Sequence, residues 1–73
     1  MDRPTALTLA TLRENLRLTR EVRQAAQERG NLDIVVVENK AIARLEQRIA
    51  QIEATAERLQ RWADEDLMDR AAP

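Results

Sequence analysis

Few side chains in this sequence can do chemistry. Its 73 residues include no His, Cys, Ser or Tyr. That removes the usual nucleophiles and the one side chain that titrates near neutral pH. Carboxylates and guanidinium groups remain. Glu53 and Glu57 stand four apart in a helical stretch, a spacing that any solvated helix face shows. Carboxylate metal sites in four-helix bundles add a His three residues after a Glu, and there is no His to add. Gly30 is the single glycine, so no glycine-rich loop exists to cradle a phosphate. The chain reads as a non-enzyme with no cofactor and no metal.

Arg13, Arg17 and Arg20 recur at helical spacing and would suit phosphates if they were free. Glu14, Glu21 and Glu28 form the adjacent stripe, and Arg17 lies four residues before Glu21. Charges interleaved in this way pair with each other on a solvated face. No aromatic lies nearby for base stacking, because Trp62 is the only aromatic residue. A small nucleic-acid-associated dimer is therefore the least favoured functional reading. Trp62 has two readings of equal weight. It anchors a partner, as Trp often does at binding hot spots, or it folds over Leu7 and Leu9 as a cover.

Apolar spacing defines the elements that carry these residues. From Ile42, steps of three and four reach Leu45, Ile49, Ile52, Ala56, Leu59 and Ala63 without a miss. Such a seam needs a second helix against it, since a lone helix in water is marginal. An earlier stripe of Leu9, Leu12, Leu16, Thr19, Val22 and Ala26 is widened on one side by Leu18, Val22 and Ala25 and interrupted by Asn15 and Arg23. Its arc spans roughly half the circumference, against about 100° for an ordinary surface helix, which implies two neighbours. Gly30-Asn31 ends this helix, and the short connection makes the two helices antiparallel neighbours.

The expected fold is all-α: an antiparallel two-helix hairpin with a longer second helix, dimerising into a four-helix or coiled-coil arrangement. Residues 1–7 are expected as a flexible arm and residues 8–63 as the hairpin, with helix 8–29, turn 30–32 and helix 33–63. Residues 64–73 are expected as an acidic tail. Thr8 and Asp33 are the expected N-caps, although Thr11 to Glu14 also fits a capping box. The run Ile34-Val35-Val36-Val37 is β-branched throughout and would suit a strand. A single strand has no partner in this chain, so helix is preferred. Asp64-Glu65-Asp66 opposes the dipole at a helix C-terminus, which places the end of the second helix near Trp62 or Ala63.

A chain of this length buries only about 60% of its unfolded surface. Without Cys it has no disulfide or thiolate site as a staple, and oligomerisation is the common remedy. A homodimer is expected, with Ile42, Leu45, Ile49, Ile52, Leu12 and Leu16 as the core seam. Arg48 and Glu53 would pair if two second helices ran parallel, and an antiparallel pairing of hairpins fits nearly as well. Ala56, Leu59, Trp62, Ala63 and Leu67 outrun the first helix and are the candidate partner-binding residues. Net charge is −1, which demands neither nucleic acid nor an anionic membrane. No apolar run reaches the length of a membrane span or a signal-peptide core, and this favours the cytoplasm.

These features suggest a small protein that binds and masks a partner protein. It would act as a sequestering regulator, anti-activator or inhibitor of the kind carried by phages and mobile elements. The alternative is a secretion-system co-chaperone, since small hairpin partners of type III secretion needle subunits have a similar general outline.

Overall fold

The computed structural model describes residues 2–71, with side chains through Met68. Met1, Ala72 and Pro73, at the ends of the expected arm and tail, lie outside the described residues. Two helices form the molecule, α1 (Arg3–Glu28) and α2 (Leu32–Ala71). They lie side by side in an elongated hairpin measuring 67 × 18 × 13 Å.

Helix α1 begins more than a turn before Thr8, so most of the expected arm is helical. Asp2 is the N-cap: its backbone is extended and its carboxylate accepts from the Thr5 amide at 2.8 Å. Hydrogen bonding from Thr5, the side chain first and then the amide, holds the Asp2 carboxyl below its ordinary range. Pro4 falls in the first turn, where a missing amide hydrogen costs nothing. The Thr8 hydroxyl instead donates to the Pro4 carbonyl at 3.0 Å, inside the helix.

The turn is closed by backbone bonds that the sequence makes easy. Gly30 takes φ +72°, a left-handed conformation that costs glycine little. The Asn31 amide then reaches the Ala26 carbonyl at 2.9 Å, and the Gly30 amide reaches that of Gln27 at 3.1 Å, which together form a Schellman cap. Asn31 also starts α2. Its side-chain oxygen accepts from the Ile34 amide at 3.4 Å and its carbonyl from the Val35 amide at 3.2 Å. Asp33, expected as this cap, lies in the first turn, where a negative charge suits the dipole.

Residues 34–37 are helical. Val35 is half-buried among the residues facing α1, and tertiary packing overrides the weak helix propensity of the run. Val36 is exposed, so Val36→Ala should leave stability unchanged or raise it by about 0.5 kcal/mol. A thermal melt followed by circular dichroism checks this, and a clear loss of stability would contradict the helical assignment.

Helix α2 also runs on past Ala63 and through the acidic segment to Ala71. Each carboxylate near a helix end costs about 0.3–1 kcal/mol. Good helix formers surround these acids, and Gln60 donates to Asp64 at 3.1 Å one turn away. Propensity and local pairing outweigh the dipole here.

Burial follows a strict pattern. On α1 the shielded residues are Thr5, Leu9, Leu12, Leu16, Thr19, Arg23 and Ala26; on α2 they are Val35, Glu38, Ile42, Leu45, Ile49, Ile52 and Ala56. Apart from Ala41, these rows contain every described residue that is not exposed. Each row advances by alternate steps of three and four, as in a coiled coil. The rows mirror each other about the turn, so Leu16 stands level with Leu45, Leu12 with Ile49 and Thr5 with Ala56. Among the described residues only Leu9, Ala26 and Ile42 are buried. The core is one seam thick.

Candidate interaction surfaces

The six residues expected as the core seam all lie in these rows and close the hairpin on itself. Ile42 is 6% exposed, and Leu12, Leu16, Leu45, Ile49 and Ile52 are half-buried. One level of the seam is polar: Arg23 stands level with Glu38, and its Nη1 donates to the Asn39 side chain at 3.2 Å. The Arg23 Nε is buried without a partner. Val22, expected in the α1 stripe, points away from the seam and is exposed. A strict heptad passes through Arg23 rather than Val22, and an apolar-only reading of the stripe misses this.

The two flanks of the seam differ in kind. On one flank, ion pairs cross between the helices, Arg13 with Glu53 and Arg20 with Glu46, the latter at 3.1 Å. The bond from Arg23 to Asn39 continues this line towards the turn. Glu53, considered as a partner for Arg48 in a parallel dimer, is thus paired with Arg13 within its own chain. Of the arginines considered for phosphates, Arg17 bridges Glu14 and Glu21 on the outer face of α1. Its hydrogen bond with Glu14 holds that carboxyl below the ordinary range and raises the guanidinium above its own. All three candidate phosphate binders are thus paired.

The opposite flank has no ion pair between the helices among the described residues. Along α1 it presents Thr11, Asn15, Leu18, Val22 and Ala25, and along α2 Ile34, Val37, Ala41, Arg44 and Arg48. Asn15, Leu18, Ala41 and Arg44 line one shallow groove there, which places both rows on the same side. Leu18, Val22, Ile34 and Val37 are exposed. Sequence reading caught the wide arc on α1 but missed its counterpart on α2, because Arg44 and Arg48 obscure the apolar start of that row.

The third surface is the free end of α2. The shielded row stops at Ala56, level with Thr5, and the helix continues for fifteen residues, or about 22 Å. Ala56 is half-buried and lies at the edge of this region rather than within it. Leu59, Trp62, Ala63 and Leu67 are exposed, and Met68 joins them. Trp62 is 59% exposed while Leu9 is 2% exposed, so Trp62 does not serve as the cover of Leu9. Where α1 begins, an open groove of about 680 Å³ has an apolar floor of Ile52, Ala56 and Leu59. Asp2, Arg48, Gln51 and Gln60 form its polar walls. The groove prolongs the line of α1.

No described helix is long and apolar enough to cross a membrane. Among the described residues no cluster of acidic side chains is arranged to hold a metal ion. Comparison with protein-family models, curated proteins and solved structures finds no match, so the geometry of these surfaces is the basis for the functional reading.

Proposed function

We propose that the chain is a non-catalytic interaction module, a homodimer that binds and masks a helical segment of a partner protein. The observation that carries this reading is the unequal length of the helices. The seam of α2 outruns α1 and leaves Leu59, Trp62 and Leu67 in water, each more than half exposed. A run of apolar side chains at helical spacing is the usual seat for an amphipathic helix. The groove floor of Ile52, Ala56 and Leu59 continues it back to the hairpin. Acidic residues Asp64 and Glu65 flank the seat and favour a partner helix carrying basic residues. The exposed thin core supports the homodimer, since a second copy adds burial that one seam does not supply.

The biological role that fits is sequestration, in a regulator, anti-activator or inhibitor; a secretion co-chaperone would use the same seat. The test is capture of partners with the tagged chain from its own host, run beside a Leu59→Asp, Leu67→Asp double variant. A protein retained by the native chain and lost with the variant supports the reading. Equal retention by both would reject the free end of α2 as the seat.

A further inference from the structure

We infer that the flank free of ion pairs is the surface where two copies of this chain meet, with both turns at the same end of the dimer. The inference rests on the homodimer proposed above and specifies its face and orientation. The other flank is already spanned by Arg13–Glu53 and Arg20–Glu46. Packing a second copy there would break or bury those pairs. The free flank has no pair to break, and it holds the exposed Leu18, Val22, Ile34 and Val37. Its only charges, Arg44 and Arg48, lie in the half away from the turn, where their long side chains can keep the guanidinium groups in water.

Self-complementarity identifies the occupant. Followed towards the turn, the α1 row passes from Asn15 to Leu18 and Val22, polar to apolar. The α2 row followed in the same direction passes from Arg44 to Ala41 and Val37, and it changes character at the same level. A two-fold axis along the hairpin lays α1 of each copy on α2 of the other, the isologous arrangement of a symmetric dimer. Val22 then meets Val37, Leu18 meets Ala41, and Asn15 meets Arg44 of the second copy. All adjacent helices are antiparallel, as in the hairpin itself. The alternative, with the axis across the hairpin, lays α2 on an antiparallel α2. That sets the apolar turn end of each copy against the polar half of the other row. Polarity gives the same answer: the α1 row has no charged residue, and Arg44 and Arg48 meet the polar Asn15 and Thr11 of the second copy, where the alternative would set them against Val37 and Ile34. Both free ends of α2 then project from the same end of the dimer, with Arg48 at the border between the interface and the groove.

The chain has no Cys, so a nitroxide on Gln27→Cys, beside the turn, is a unique label. With the turns together, dipolar spectroscopy should give a separation of about 25 Å or less, two or three interaxial spacings. Turns at opposite ends would give about 39 Å, the length of α1, and would overturn the orientation while leaving the dimer. A monomer by sedimentation at tens of micromolar would overturn the dimer and this inference together. As a second arm, Val22→Lys with Val37→Lys should raise the dimer dissociation constant at least about tenfold. Leu7→Lys, an exposed apolar position on the outer face of α1, should leave it unchanged. Equal effects from the two substitutions would reject the face.

Discussion

Ile49→Asp should abolish both the helical signal and any association of the chain. Ile49 lies at the middle of the α2 row, level with Leu12 and flanked by Leu45 and Ile52. A carboxylate there is cut off from much of its water, and no basic residue of the shielded rows stands at that level. The loss should exceed about 3 kcal/mol. A domain of this size has only a few kcal/mol of stability in total, and the three buried residues among those described provide little reserve. Far-UV circular dichroism and sedimentation read the outcome directly. A variant that keeps its helicity would show that the seam contributes much less than its burial suggests. An Ala50→Asp control, one residue along on the exposed face, should remain folded.

The same seam was the most legible part of the chain in sequence, and the reason is physical. Alternating steps of three and four can be satisfied by only one helix face, and seven apolar residues in a row at that spacing leave no other register. The turn was legible because Gly30 is the single residue able to adopt a positive φ at little cost, and it sits between the two periodic stretches. The helix ends were less legible. The start at Arg3 rather than Thr8 depends on Pro4 falling in the first turn, where its missing amide hydrogen is harmless, with Asp2 as the cap. The acids after Ala63 oppose the dipole, but a term of less than about 1 kcal/mol each does not end a run of good helix formers, and α2 continues to Ala71.

The surfaces were only half legible. Periodicity reports which residues share a face, and the overhang of α2 followed from unequal lengths. What spacing alone does not report is which charges find partners. Glu53 has Arg13 of its own chain beside it, forty residues away in sequence. That one pairing separates a locked flank from a free one, and it depends on the register of the hairpin rather than on any local pattern.

Trp62→Ala should weaken capture of the partner helix by more than about 1 kcal/mol, roughly fivefold or more in affinity, while helicity and melting temperature stay close to those of the native chain. Trp62 lies past the last shielded residue of α2 and is 59% exposed, so its removal takes little from the hairpin. A large, rigid side chain next to Leu59 and Leu67 is the group with most area to gain from a partner. Its loss should appear mainly in the dissociation rate, since truncating an anchor leaves the approach of charged surfaces unchanged. Neutralising Asp64 and Glu65 should do the opposite, slowing association and reducing its salt dependence. Titration of the captured partner against both variants, at two ionic strengths, separates the effects. If Trp62→Ala lowers the melting temperature of the free protein as much as it weakens binding, Trp62 belongs to the folded core in solution. The partner site would then have to lie elsewhere on the hairpin.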